Sequence, residues 1–133
     1  MPAKKPSTRR KKVAASSLGL TAPDTAQVNG RDLESLSAAI ADAGGAVLAQ
    51  YRDPVGGKPL ILACLPVDRV EPTPYQRDPS DTHVKRLMGV VEKIGLFLDP
   101  IIVVHKDNSY WTPNGNHRLQ ALKKLGYRAV TAL

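Results

Sequence analysis

The chain has 133 residues, 42% of them hydrophobic, and 19 Lys and Arg against 12 Asp and Glu give a formal charge of +7. That length suits one domain and a tail, and a single cysteine, Cys64, excludes an internal disulfide framework and any multi-cysteine zinc site. The longest apolar runs fall far short of the ~20 residues of a membrane-spanning helix and no apolar signal core opens the chain, so a cytoplasmic, soluble protein without a membrane partner is expected.

Lys4, Lys5, Arg9, Arg10, Lys11 and Lys12 carry six of the positive charges, and no acid precedes Asp24. The other 13 basic residues are nearly balanced by the 12 acidic ones, so the excess charge sits in the leader. Residues 1–30, rich in Pro, Ser, Thr, Ala and Lys/Arg and without sustained periodicity, are expected to form a disordered basic tail. Such an arm either touches DNA, RNA or an acidic surface without sequence preference or serves as a solubilising leader.

Order is expected from near Arg31. Residues 31–64 read as an extension made of one helix and a β-hairpin. Leu33, Leu36, Ala39, Ile40 and Ala43 recur at helical spacing over 32–43, and Gly44-Gly45 ends the run. Residues 46–51 and 59–65 read as strands around the turn-forming Asp53-Pro54-Val55-Gly56-Gly57. Cys64 lies in the apolar run 60–65 with no helix start or cation beside it, which favours a buried structural thiol over a catalytic one.

The prolines of Glu71-Pro72-Thr73-Pro74-Tyr75-Gln76-Arg77 forbid a regular helix and predict a rigid extended loop. Ser80 or Asp81 can then cap a helix whose Val84, Leu87, Met88, Val91 and Ile94 form one apolar face, stopped by Gly95. The opposite face, with His83, Lys85, Arg86, Glu92 and Lys93, reads as solvated. Ile101 to Val104 is a buried-type strand, residues 106–109 turn, and Tyr110 to Thr112 return; residues 128–132 predict a last strand.

Between the strand at 110–112 and the helical Leu119, Leu122 and Leu125 lies Pro113-Asn114-Gly115-Asn116-His117-Arg118. The first N–H groups of a helix lack intrahelical acceptors and the helix dipole is positive there, so strand, glycine turn and helix make a ready anion cradle. On these residues alone, the other reading is that Asn114 caps the helix while His117 and Arg118 face solvent.

In order, Leu-Pro-x-Asp-x-Val from Leu65, Pro-Tyr-Gln-Arg at 74–77, the helix 81–94, Pro-Ile-Ile-Val at 100–103 and Gly-x-x-Arg at 115–118 resemble the ParB/sulfiredoxin-like superfamily. The resemblance covers 65–133 and points to the N-terminal domain of ParB partition proteins, a module also labelled ParB-like nuclease. It implies an α+β domain, a small mixed sheet with helices packed against it, whose C-terminal part is truncated at Leu133. It also implies a nucleotide switch: Gly115 and Asn116 would offer backbone amides to a triphosphate, Arg118 would pair its oxygens, His117 would add a ring N–H, and Arg77 would reach the same phosphates or a neighbouring subunit. The ligands so implied are CTP or ATP with Mg²⁺, and the partners DNA and a second copy of the chain, as in chromosome or plasmid partition on the nucleoid.

Asn116 stands where many ParB proteins carry Glu and where sulfiredoxin carries the Cys of its Gly-Cys-His-Arg box. Sulfiredoxin activity is therefore not expected, since an amide cannot replace the thiolate, and at most weak triphosphatase activity is. A ParB-fold free-serine kinase with Glu71 or Asp68 as base, and a nuclease using Asp78, Asp81 and Asp99, are the enzymatic alternatives. No metal site within the protein is expected.

Overall fold

The helical spacing of Leu33, Leu36 and Ile40 is realised as α1 (Glu34–Asp42), with Leu33 and Ile40 in the core. The computed structural model describes residues 17–73 and 80–133. The described chain is placed well ahead of Arg31: Leu20 N–H donates to the Pro54 carbonyl at 2.8 Å, and Pro23–Ala26 forms a 3-10 turn.

β1 (Ala46–Arg52) and β2 (Pro59–Pro66) pair antiparallel around a turn in which Asp53 Oδ2 accepts from Gly56 N–H at 2.6 Å. The period of two along β2 buries Ile61, Ala63 and Leu65 and leaves Leu60, Leu62 and Cys64 half-buried. A 3-10 turn, Val67–Arg69, leads into β3 (Val70–Pro72). Here the expected loop is corrected: its first residues are a strand, parallel to β5, with Val70 opposite Tyr110. Proline's fixed φ forbids a helix but suits the edge of a sheet.

α2 (Asp81–Ile94) starts on Ser80, whose Oγ accepts from His83 N–H at 3.3 Å, and stops at Gly95, φ 74°. Its apolar face is covered less than expected. Val84 is buried, Leu87, Met88 and Val91 are half-buried, and Ile94 is 51% exposed, because α2 packs on α3 rather than on the sheet.

β4 (Ile102–Lys106) and β5 (Ser109–Asn114) form a hairpin through Asp107 and Asn108, both at positive φ, 54° and 61°, the conformation of a two-residue I′ turn. The expectation of a strand buried on both faces fails at β4. Ile102 and Val104 are 38% and 48% exposed, while Val103 and His105, on the other face, are half-buried. α3 (Asn116–Leu125) ends at Gly126 in the left-handed region and leads to β6 (Ala129–Ala132).

The strands form two three-stranded sheets, β1-β2-β6 and β3-β5-β4, the second mixed. Ile101 joins them: its N–H donates to the Thr131 carbonyl at 3.0 Å and its carbonyl accepts from Leu133 N–H at 2.9 Å. One core cluster therefore runs from Ile40 and Leu65 through Val130 and Ile101 to Leu119, Leu122 and Val70. Among the described residues no helix is long and apolar enough to cross a membrane.

Candidate functional site: two helix starts around His117

The end of β5 and the start of α3 meet at Gly115, which has φ 132° and ψ 9°. A Cβ built there would lie 2.5 Å from both Cβ and Cγ2 of Ile101, a core residue with no exposed surface. Backbone conformation and space thus both demand glycine. The first bond of α3 is Leu119 N–H to the Gly115 carbonyl, 2.9 Å, so the amides of 116–118 precede it without intrahelical acceptors. No acidic side chain occupies the first turn of α3.

The side chains of this turn diverge. Asn116 is only 6% exposed and its Oδ1 accepts from Gln120 Nε2 at 3.2 Å, so it presents backbone rather than amide side chain. His117 turns to the other helix start: its Nε2 accepts from Ser80 N–H at 3.2 Å, and its ring stacks on that of His83, centroids 4.3 Å apart. With Nε2 an acceptor, the ring proton belongs on Nδ1. Arg118 reaches the loop before β4, where Nη1 lies 3.5 Å from Asp99 and Nη2 donates to the Pro100 carbonyl at 3.3 Å, while Nε is buried without a hydrogen-bond partner. The reading of Asn114 as a mere cap is not what the turn does: Gly115 is the capping position and Asn114 ends β5.

Beside Arg118 lies a cleft of about 180 Å³ between α2, α3 and residues 96–99, walled by Leu87, Val90, Ile94, Phe97 and Leu98, with Asp99 and Arg118 as its charged members. The expected solvated face of α2 is exposed at Lys85, Arg86, Glu92 and Lys93, but His83 belongs to the site through its stack on His117. Sequence reasoning missed that role and the Asp99–Arg118 pair. The available signal was Ser80-x-x-His83 placing a histidine in the first turn of a second helix.

Other residues named from sequence fall elsewhere. Arg77 and Asp78, and the whole Pro-Tyr-Gln-Arg box, lie outside the described residues, as do Lys4, Lys5, Arg9, Arg10, Lys11 and Lys12. Glu71 sits on β3 opposite Trp111, and Asp68 in the 3-10 turn before it. Asp81 pairs with Lys124 at 3.7 Å and Asp99 with Arg118, so neither forms a carboxylate cluster; among the described residues no three His, Cys, Asp or Glu side chains are placed to hold a metal. Cys64 is half-buried in β2.

The strand, glycine turn and helix read from the sequence are present, whereas the second helix start beside them, at Ser80, was not anticipated. No family model matches. A chloroplastic/mitochondrial sulfiredoxin of Arabidopsis thaliana is 33% identical over 76 residues, 56% of this chain and 60% of that protein. The crystal structure of sulfiredoxin from the same plant is 31% identical, covers 56% of this chain and 83% of that one, and superposes with a TM-score of 0.48. A free serine kinase in complex with AMP (20% identical, 54% of this chain and 30% of that one, TM-score 0.49) and the C-terminally truncated chromosome-partitioning protein ParB of Caulobacter crescentus complexed with CTP-γ-S (20%, 53% and 41%, 0.46) are also similar. Over those 76 residues the chain is similar in sequence to a sulfiredoxin, which supports the resemblance to the ParB/sulfiredoxin-like superfamily. It spans about three-fifths of the curated sulfiredoxin's length.

Proposed function

We propose that the turn at 113–118 binds the phosphates of a nucleotide, CTP or ATP with its Mg²⁺, and that the protein is a ParB-like regulatory domain of a DNA-associated protein with little catalysis of its own. The observation that carries this reading is the strained Gly115 turn, which leaves the 116–118 amides at the start of a helix without acidic side chains in its first turn. His117 Nδ1–H adds a donor. Asp99 is the exchangeable partner of Arg118: 76% of its side-chain surface is exposed and the contact is 3.5 Å long. A phosphate could therefore take its place for a larger, charge-assisted gain. The apolar cleft beside Arg118 supports a nucleotide over bare phosphate, since it offers walls to a base. With no carboxylate cluster among the described residues, Mg²⁺ would arrive on the phosphates themselves.

Titration calorimetry with CTP, ATP, ADP and inorganic phosphate tests this. A nucleoside triphosphate should bind more tightly than phosphate, and Arg118→Ala should weaken it by about tenfold to a hundredfold, the loss of one charge-assisted pair at ~1.5–3 kcal/mol. Equal affinity in both proteins, or no binding by the wild type, would sink the proposal.

A second reading rests on the charge of the leader. Six Lys and Arg precede residue 13 with no acid before Asp24, which suits non-specific attachment to DNA. DNA binding should then weaken steeply with salt and vanish on deletion of residues 1–12. Binding that survives the deletion rejects it.

A further inference from the structure

A second cavity, of about 60 Å³, lies beneath α1, away from the glycine turn. Leu36 and Ile40 of α1 form one wall, Ile61 and Ala63 of β2 and Ala132 of β6 another, and among the described residues the polar side chains lining it are Tyr110 and His105. Their rings stack, with centroids 4.6 Å apart. Tyr110 is 3% exposed, and its Oη is buried without a hydrogen-bond partner. Buried hydroxyls are almost always paired, so an orphan beside empty space calls for an explanation. Burial pushes the Tyr110 hydroxyl above its ordinary pKa, the Arg69 charge pulling it down and Asp42 adding to the rise. The group is thus a proton donor that lacks an acceptor.

Water held here meets only two polar side chains among apolar walls, so a mostly apolar molecule that keeps one acceptor can displace it at a gain. At about 10–15 Å³ per water, the space matches one molecule of roughly four to six non-hydrogen atoms. Mostly apolar walls with no Lys, Arg, Asp or Glu among the described lining residues disfavour an ion.

We propose that the cavity beneath α1 is a binding site for a small uncharged molecule, apolar except for one carbonyl or ether oxygen that accepts the Tyr110 Oη–H. α1 lies outside residues 65–133, the stretch that carries the superfamily resemblance, and it walls one side of the cavity with Leu36 and Ile40. The site is independent of the nucleotide reading, because it shares no lining residue with the cleft beside Arg118.

The test is an NMR titration of the full chain with two probes, 2-butanone, which has five non-hydrogen atoms and one acceptor, and xenon, which has none. Both should shift the amides around Leu36, Ile40, Tyr110 and Ala132 and spare 115–118. 2-Butanone should saturate in about the millimolar range, as so small a ligand allows, and Tyr110→Phe should weaken it at least fivefold. Xenon shifts should persist in Tyr110→Phe, proving the cavity intact. Absence of saturable 2-butanone shifts at these amides, or equal 2-butanone affinity in the two proteins, overturns the proposal.

Discussion

Replacing Gly115 by alanine isolates the strain on which the candidate site is built. The new methyl would stand 2.5 Å from Ile101 Cβ and Cγ2, inside any real carbon–carbon contact, and Ile101 is fixed by backbone bonds to Thr131 and Leu133 on the adjoining strand. Holding an L-residue at φ 132° costs roughly 1–3 kcal/mol, and forcing a methyl into a packed core about the same again. Together they remove about 2–6 kcal/mol from a fold whose whole stability is of order 5–15 kcal/mol, or roughly 6–24 °C of melting temperature at this size. Urea unfolding followed by circular dichroism measures it directly. The steric half can be separated with Ile101→Ala, which removes Cγ2 and leaves Cβ. In that background Gly115→Ala should cost ~1–2 kcal/mol less than in the wild type, a coupling expected of touching side chains. A cost below about 0.5 kcal/mol for the single substitution, or strict additivity in the double one, would refute the reasoning.

Two further predictions concern β5. Thr112 has no exposed surface and its Oγ1 donates to the Ile102 carbonyl at 2.8 Å, so the near-isosteric Thr112→Val should lose about 0.5–1.5 kcal/mol; an unchanged urea midpoint would show the bond to be worth nothing. Because burial raises the Tyr110 pKa in the folded protein, the unfolded chain gives up this proton first as pH passes about 10, and stability that is full below that pH is lost as pH rises through the folded value. The urea midpoint of the wild type should therefore fall more steeply above about pH 10 than that of Tyr110→Phe, and parallel curves would contradict it.

The local grammar of the chain was legible where a single residue type decides the conformation. Gly95 and Gly126 ended helices in the left-handed region, Asp53 to Gly57 made a hairpin turn, and Gly115 marked a strand-to-helix turn. What stayed hidden depends on which elements become neighbours. The apolar runs at 84–94 and 101–104 have the pattern of fully covered segments, yet α2 covers only part of its stripe and β4 only one face. Periodicity states what a segment could bury and is silent on whether a partner arrives. The same limit applied to the site: His117 was read either as a phosphate donor or as a solvent-facing side chain, and nothing in residues 113–118 announces that Ser80, 37 positions earlier, supplies the N–H it accepts.

Position 116 shows how far that neighbourhood constrains chemistry, since a sulfiredoxin-type box carries its reactive cysteine there. Suppose Asn116→Cys is made in a Cys64→Ser background. The start of α3 lowers a thiol's pKa and favours the reactive thiolate, which argues for fast modification. Access argues against it, because Asn116 is 6% exposed and its side chain runs along the helix to Gln120. The electrostatic gain is bounded, as a thiol already partly ionised near neutral pH can gain little more than tenfold in thiolate. An opening that costs about 1–3 kcal/mol slows attack by roughly tenfold to a hundredfold or more, so access should win. Asn114→Cys supplies the comparison, on the same turn but exposed at the end of β5. Asn116→Cys should react with an aromatic disulfide reagent at least tenfold more slowly than Asn114→Cys, and trimming the neighbouring Gln120 to alanine, which opens space beside position 116, should narrow the gap. Faster reaction at 116 than at 114 would mean that the helix start, not the packing of the side chain, governs this turn, and that one substitution suffices to place a usable nucleophile on it.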